Sequence, residues 1–99
     1  MKRPEDCESI QDVRQSIDAL DREVIGLIGR RAQYVEAAAR FKSDEHSVLA
    51  PERQRAMLAD RRRWAQKTGL DPDVIEEIYR TLVSYFVDRE MQQLPKTWR

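Results

Sequence analysis

Residues 9–42 read SIQDVRQSIDALDREVIGLIGRRAQYVEAAARFK, and this stretch decides the fold. Ile10, Val13, Ile17, Leu20, Val24, Leu27, Arg31, Tyr34, Ala38 and Phe41 recur at alternating spacings of three and four, the period of a helix packing along a seam. Ser9, with Asp12 three residues on, resembles a capping box: the hydroxyl accepts from a first-turn amide and the carboxylate suits the positive end of the helix dipole. Nothing interrupts the pattern before the polar run Ser43-Asp44-Glu45-His46-Ser47. The spacing therefore predicts one helix from about Ser9 to Lys42, roughly 50 Å long at about 1.5 Å per residue. Gly26 and Gly29 inside it cost about 1 kcal/mol each against Ala and leave room for a close helix contact.

Working outward, residues 43–50 read as a loop and Pro51 as the first turn of a second helix. That helix carries Met57, Leu58, Arg61, Trp64 and Ala65 at core spacing and ends near Lys67, with Gly69 as the residue just beyond its cap. Asp71-Pro72 reads as N-cap and N1 of a third helix. It presents Val74, Ile75, Ile78, Tyr79, Leu82, Val83, Phe86, Val87, Met91 and Leu94 before Pro95 stops it. The expected fold is all-α, three helices, one long and two medium, in a single domain over 1–99 with a frayed tail that holds Trp98. A compact chain of this size has a radius of gyration near 13 Å, so the long helix projects beyond its own partners and its seam calls for a second chain.

Composition narrows the function. The chain has 99 residues, 40% apolar and 36% charged, with 18 basic and 18 acidic side chains and hence no net charge. A nucleic-acid binder needs a basic excess to displace counterions, so that class is excluded. Cys7 is the single cysteine and His46 the single histidine, which leaves no disulfide and no zinc set. No apolar run approaches the length of a signal peptide or a membrane span, and the expected setting is the cytoplasm, with no membrane partner.

Polar residues stand where the pattern asks for apolar ones. Arg31 takes a core slot, and a buried guanidinium without an anion is too costly to keep as packing. Alone, it reads as an ion pair with an acid of another helix. Arg31, Val35, Ala38 and Lys42, however, follow at i, i+4, i+7 and i+11, so two cations bracket a small apolar floor. Their Cα atoms lie roughly 16 Å apart, room for a compact anion. On the third helix Tyr79, Leu82 and Phe86 continue into Glu90, a carboxyl on the core-facing stripe whose plainest reading is a pair with an Arg. Arg14 lies roughly 25 Å before Arg31 and reaches such a pocket only from a second chain in an antiparallel dimer. Arg53 sits in a first turn where the dipole prefers an acid, which an anionic partner would explain. Arg61-Arg62-Arg63 reads as solvated surface.

No nucleophile stands beside a base, no metal cluster or phosphate loop is present, and no carboxylate pair is poised for acid and base work. A cation-lined apolar cleft still catalyses a unimolecular rearrangement or elimination, by holding a dianion in a reactive conformer and stabilising charge as a bond breaks.

Arg14 in Asp-Val-Arg-Gln-Ser-Ile-Asp, Arg31 in Gly-Arg-Arg-Ala-Gln-Tyr-Val and Lys42 in Ala-Ala-Arg-Phe-Lys together resemble the all-helical chorismate mutase family, over about Cys7 to Met91. Within it, Pro4-Glu5-Asp6-Cys7, Arg40-Phe41-Lys42, Ala50-Pro51-Glu52-Arg53 and Trp64-Ala65 with Gly69-Leu70-Asp71 look closest to the branch that releases pyruvate from isochorismate to give salicylate, typically for siderophores. The resemblance implies an intertwined homodimer with two pockets, each taking Arg14 from the partner chain and Arg31, Lys42, Arg53 and residue 90 from its own. It implies that Arg14 and Arg31 bind the carboxylates of a small dicarboxylate, isochorismate or chorismate. It further implies that Lys42 stabilises the breaking ether bond, that the 43–50 loop closes over the site, and that no cofactor or metal takes part.

Two departures bear on the reaction. Typical bacterial mutases carry acids near the start of the second helix for the substrate hydroxyl, where this chain has Ala50 and Gln54, which leans towards the lyase. Glu90 stands where the lyase and most bacterial mutases use Gln as a donor, and Glu donates only when protonated. A dominant mutase is the first alternative. A dimeric helical interaction module with structural arginine pairs is the alternative of another class, and the sequence does not distinguish isochorismate from an amino-substituted chorismate as substrate.

Overall fold

The computed structural model describes residues 2–93, so the expected roles of Leu94, Pro95 and Trp98 lie outside the described residues. Every regular element among them is helical: a 3-10 turn at Pro4–Asp6, then α1 (Ile10–Ala39), α2 (Glu45–Leu49), α3 (Pro51–Lys67) and α4 (Pro72–Gln93). The chain divides into two compact units, one up to Tyr34 and one from Val35 onward.

In the first unit α1 begins as its cap chemistry dictates. The Asp12 amide donates to Ser9 Oγ at 3.1 Å, while the Asp12 carboxylate accepts from the Glu8 amide and from Lys2 Nζ, both at 3.0 Å. The carboxylate thus reaches one residue further back than a standard capping box. The Glu8 amide, then Lys2, hold the Asp12 carboxyl below its ordinary range. This hold on the N-terminal turn exists above the ordinary carboxylate pKa and is lost as pH falls through the lowered one. No residue of α1 is buried within the chain, and its seam from Ile10 to Leu27 is left between 37% and 60% exposed at Ile10, Val13, Ile17, Leu20, Val24 and Leu27.

In the second unit α1 stops at Ala39 rather than Lys42. The chain then tightens into i→i−3 bonds, with the amides of Arg40, Phe41 and Lys42 donating to the carbonyls of Ala37, Ala38 and Ala39 at 3.2, 2.9 and 3.2 Å. The expected loop at 43–50 contains a further one-turn helix, α2, which takes in His46, expected in a loop. A lone turn does not pay its nucleation cost; this one is held at both ends and in the middle. The Ser47 amide donates to Asp44 Oδ1 at 2.8 Å and the Asp44 amide to Ser47 Oγ at 3.3 Å, a reciprocal box that keeps the Asp44 carboxyl below its usual range. Val48 is the most deeply buried side chain, at 2% exposure. Ala50 then takes a left-handed conformation, φ 40° and ψ 61°, which costs a side chain other than glycine about 1–2 kcal/mol.

The caps of α3 and α4 agree with the sequence. Pro51 opens α3, and its end is a Schellman closure: the Leu70 amide donates to the Ala65 carbonyl at 2.9 Å and the Gly69 amide to Gln66 at 3.2 Å, with Gly69 at φ 77°. Asp71 Oδ1 accepts from the Asp73 amide at 2.8 Å and starts α4 at Pro72. Val48, Met57, Leu58, Ala65 and Phe86 form the core where α2 and α3 meet α4. Trp64 is not among them and is 50% exposed. Its indole instead takes the Arg61 guanidinium at 4.7 Å, with Tyr79 at 5.5 Å on the same cation. Nor is the arginine triplet simply solvated: Arg62 bridges Asp73 and Glu76 at 2.9 and 3.3 Å, and Arg63 pairs with Asp60 on its own helix. Arg61 and Arg62 therefore tie α3 to α4.

Candidate active site

Glu90 is the one buried charged residue among those described, at 7% exposure. It stands one turn after Phe86 on α4, on the stripe the sequence marked as core-facing. Its partner is Lys42 rather than an arginine: Lys42 Nζ donates to Glu90 Oε2 at 2.9 Å, the two side chains 24% and 8% exposed. A charge-assisted bond this sheltered from water is barely screened by salt.

Lys42 comes to Glu90 by a route the helical count did not give. With α1 ending at Ala39, Lys42 is three residues beyond the helix, in the tightened turn. A second tie runs beside it: Arg89 Nη2 donates to Glu36 Oε1 at 2.9 Å and the guanidinium stacks on Tyr85 at 5.6 Å. Successive residues of α4, Arg89 and Glu90, thus grip the end of α1 and the turn after it with opposite signs. Sequence reasoning missed Glu36 and Arg89, because no spacing rule links residues 53 apart.

The other expected site residues stand as follows. Arg53 is exposed on the first turn of α3, in the same unit as Lys42 and Glu90. Arg14, exposed, and Arg31, half-buried and engaged within the chain, belong to the first unit. Among the described residues no three His, Cys, Asp or Glu side chains converge as a metal site, and no helix is long and apolar enough to cross a membrane. Chemically, the Lys42–Glu90 pair offers a half-buried ammonium, fixed in place, and one carboxyl that either balances it or, protonated, donates a hydrogen bond.

Comparison with known proteins bears on what that pair serves. The family model for chorismate mutase type II matches residues 13–91. The isochorismate pyruvate lyase of Pseudomonas aeruginosa is 40% identical over 99 residues, covering all of this chain and 94% of that protein. The T-protein of Haemophilus influenzae is 41% identical over 75 residues and that of Enterobacter agglomerans 33% over 72, with the chain matching 20% and 19% of their lengths.

Proposed function

The chain belongs to the chorismate mutase type II family, and from that premise we propose that it is an isochorismate pyruvate lyase with a weaker chorismate mutase activity. The observation that carries this reading is the 40% identity to the Pseudomonas lyase along the whole chain. The sheltered ammonium of Lys42, held by Glu90 at 2.9 Å, supports the same chemistry. The mutase stands as the second activity because the family model is that of a mutase.

The reaction balances without an attacking group. The ether bond between the ring and the enolpyruvyl oxygen breaks, and a ring hydrogen moves to the enolpyruvyl methylene carbon, which becomes the methyl of pyruvate. The ring is left as salicylate. Negative charge grows on the departing oxygen, and an ammonium already fixed beside it lowers the barrier because it need not reorganise. Lys42 takes that role in this reading. Arg31 and, from a partner chain, Arg14 bind the two carboxylates, Arg53 adds a further cation, and no cofactor is required.

Glu90 balances Lys42 in the free chain. When a dianion enters, its charge competes with that carboxylate for Lys42. Glu90→Gln, which keeps an acceptor for Lys42, adds an N–H donor and removes the competing charge, is accordingly expected to raise kcat/KM for isochorismate. An unchanged kcat/KM in the variant removes Glu90 from the mechanism.

A second copy of the chain completes the reading. The seam of α1 buries no side chain within the chain, and an intertwined homodimer would cover it while delivering Arg14 in trans. Salicylate made in the cytoplasm for siderophore assembly is the setting we infer. Parallel incubation with isochorismate and chorismate, following salicylate, pyruvate and prephenate, tests the whole: salicylate and pyruvate should form faster than prephenate. A folded protein that turns over neither substrate overturns it.

A further inference from the structure

Ala50 is the one non-glycine residue with positive φ among those described, and it stands at a junction that leaves the chain little choice. Pro51 follows it, and a residue before proline is pushed out of the right-handed helical region. α2 therefore cannot run straight on into α3. In the left-handed conformation Ala50 instead serves both helices at once: its amide closes α2 on the His46 carbonyl at 2.8 Å, and its carbonyl accepts the Gln54 amide at 3.0 Å, opening α3. Residues held in such a region persist only where the surroundings over-determine them, and they gather at functional sites. Here the surroundings are the buried Val48 two residues before and Met57 and Leu58 after.

The junction lies between the two cations of this unit assigned to the site. Lys42 precedes α2, and Arg53 is on the turn of α3 that Ala50 opens. We propose that Ala50 is a positioning residue: its stiff left-handed backbone fixes the direction in which α3 leaves α2, and so holds Arg53 in register with the Lys42–Glu90 pair. The inference rests on the lyase reading and adds to it a residue that acts through its backbone.

Glycine adopts the same φ without strain but also many others, whereas asparagine keeps a side chain and tolerates the left-handed region. Ala50→Gly should therefore fold with an unchanged or higher melting temperature, yet populate the competent junction less. Apparent affinity falls by that fraction. KM for isochorismate is expected to rise by about 5–10-fold with kcat within about twofold, and the Val48 and Gln54 amides to exchange hydrogen faster. Ala50→Asn should keep both the wild-type KM and the slow exchange. A purely structural role would shift melting without splitting KM from kcat. Wild-type KM in Ala50→Gly, or a KM raised equally in Ala50→Asn, overturns the role of Ala50 alone. Wild-type protein without turnover overturns the lyase reading itself, while the exchange comparison still reports whether the junction is stiff.

Discussion

Lys42→Gln is expected to lower kcat for isochorismate by about 10²–10³-fold, the loss typical of removing one preorganised donor from a charge-developing oxygen. The amide still donates to Glu90 and nearly preserves volume, so the buried carboxylate is not stranded and the fold should survive; circular dichroism and a melting curve check that. What disappears is the positive charge. A variant retaining more than about a tenth of wild-type kcat would remove Lys42 from the transition state. The same variant tests the dimer. Mixed and refolded with Arg14→Ala, it forms heterodimers in which one pocket carries both defects and the other neither. If Arg14 acts in trans, random pairing of two inactive proteins restores about a quarter of wild-type activity. If Arg14 serves its own chain, mixing restores nothing.

Phe86→Ala carries the largest expected effect on stability. The ring is 4% exposed, packs at 5.0 Å and 59° against Tyr85, and lies in the core where α2 and α3 meet α4. Emptying such a site costs about 3–5 kcal/mol, a large share of the stability of a small domain. Urea unfolding at a fixed protomer concentration measures it, since the stability of the proposed homodimer would depend on concentration. A loss below about 1 kcal/mol would mean that neighbouring helices close the gap, and that Phe86 is not the keystone its burial indicates. Glu90 stands one turn further along α4, so a folded Phe86→Ala should also show a loosened Lys42–Glu90 pair.

What was legible in the sequence divides along physical lines. Pro51, Gly69 and Asp71-Pro72 set the limits of α3 and α4 because cap chemistry is local and each residue acts through its own backbone. The seam of α1 was equally plain. α2 was not, since five residues carry no periodicity, although Asp44 and Ser47 stand at capping-box spacing. The stripe that placed Glu90 inward could be read from Phe86 one turn before it, but its partner could not. Lys42 lies 48 residues away and reaches Glu90 from the turn that follows Ala39. Trp64 was misread as core because spacing counts apolar rings without seeing Arg61, which offers that ring a cation instead. The trans contribution of Arg14 came from family resemblance together with helix length, and it is the mixing experiment that decides it.

The bond between Lys42 and Glu90 also bears on discrimination in a crowded cell. An ammonium already matched by its own carboxylate has little net pull on phosphate, chloride or bicarbonate. Under the proposed function, only a guest that brings enough contacts elsewhere to make up for parting the couple would displace that carboxylate, and abundant inorganic salts would not.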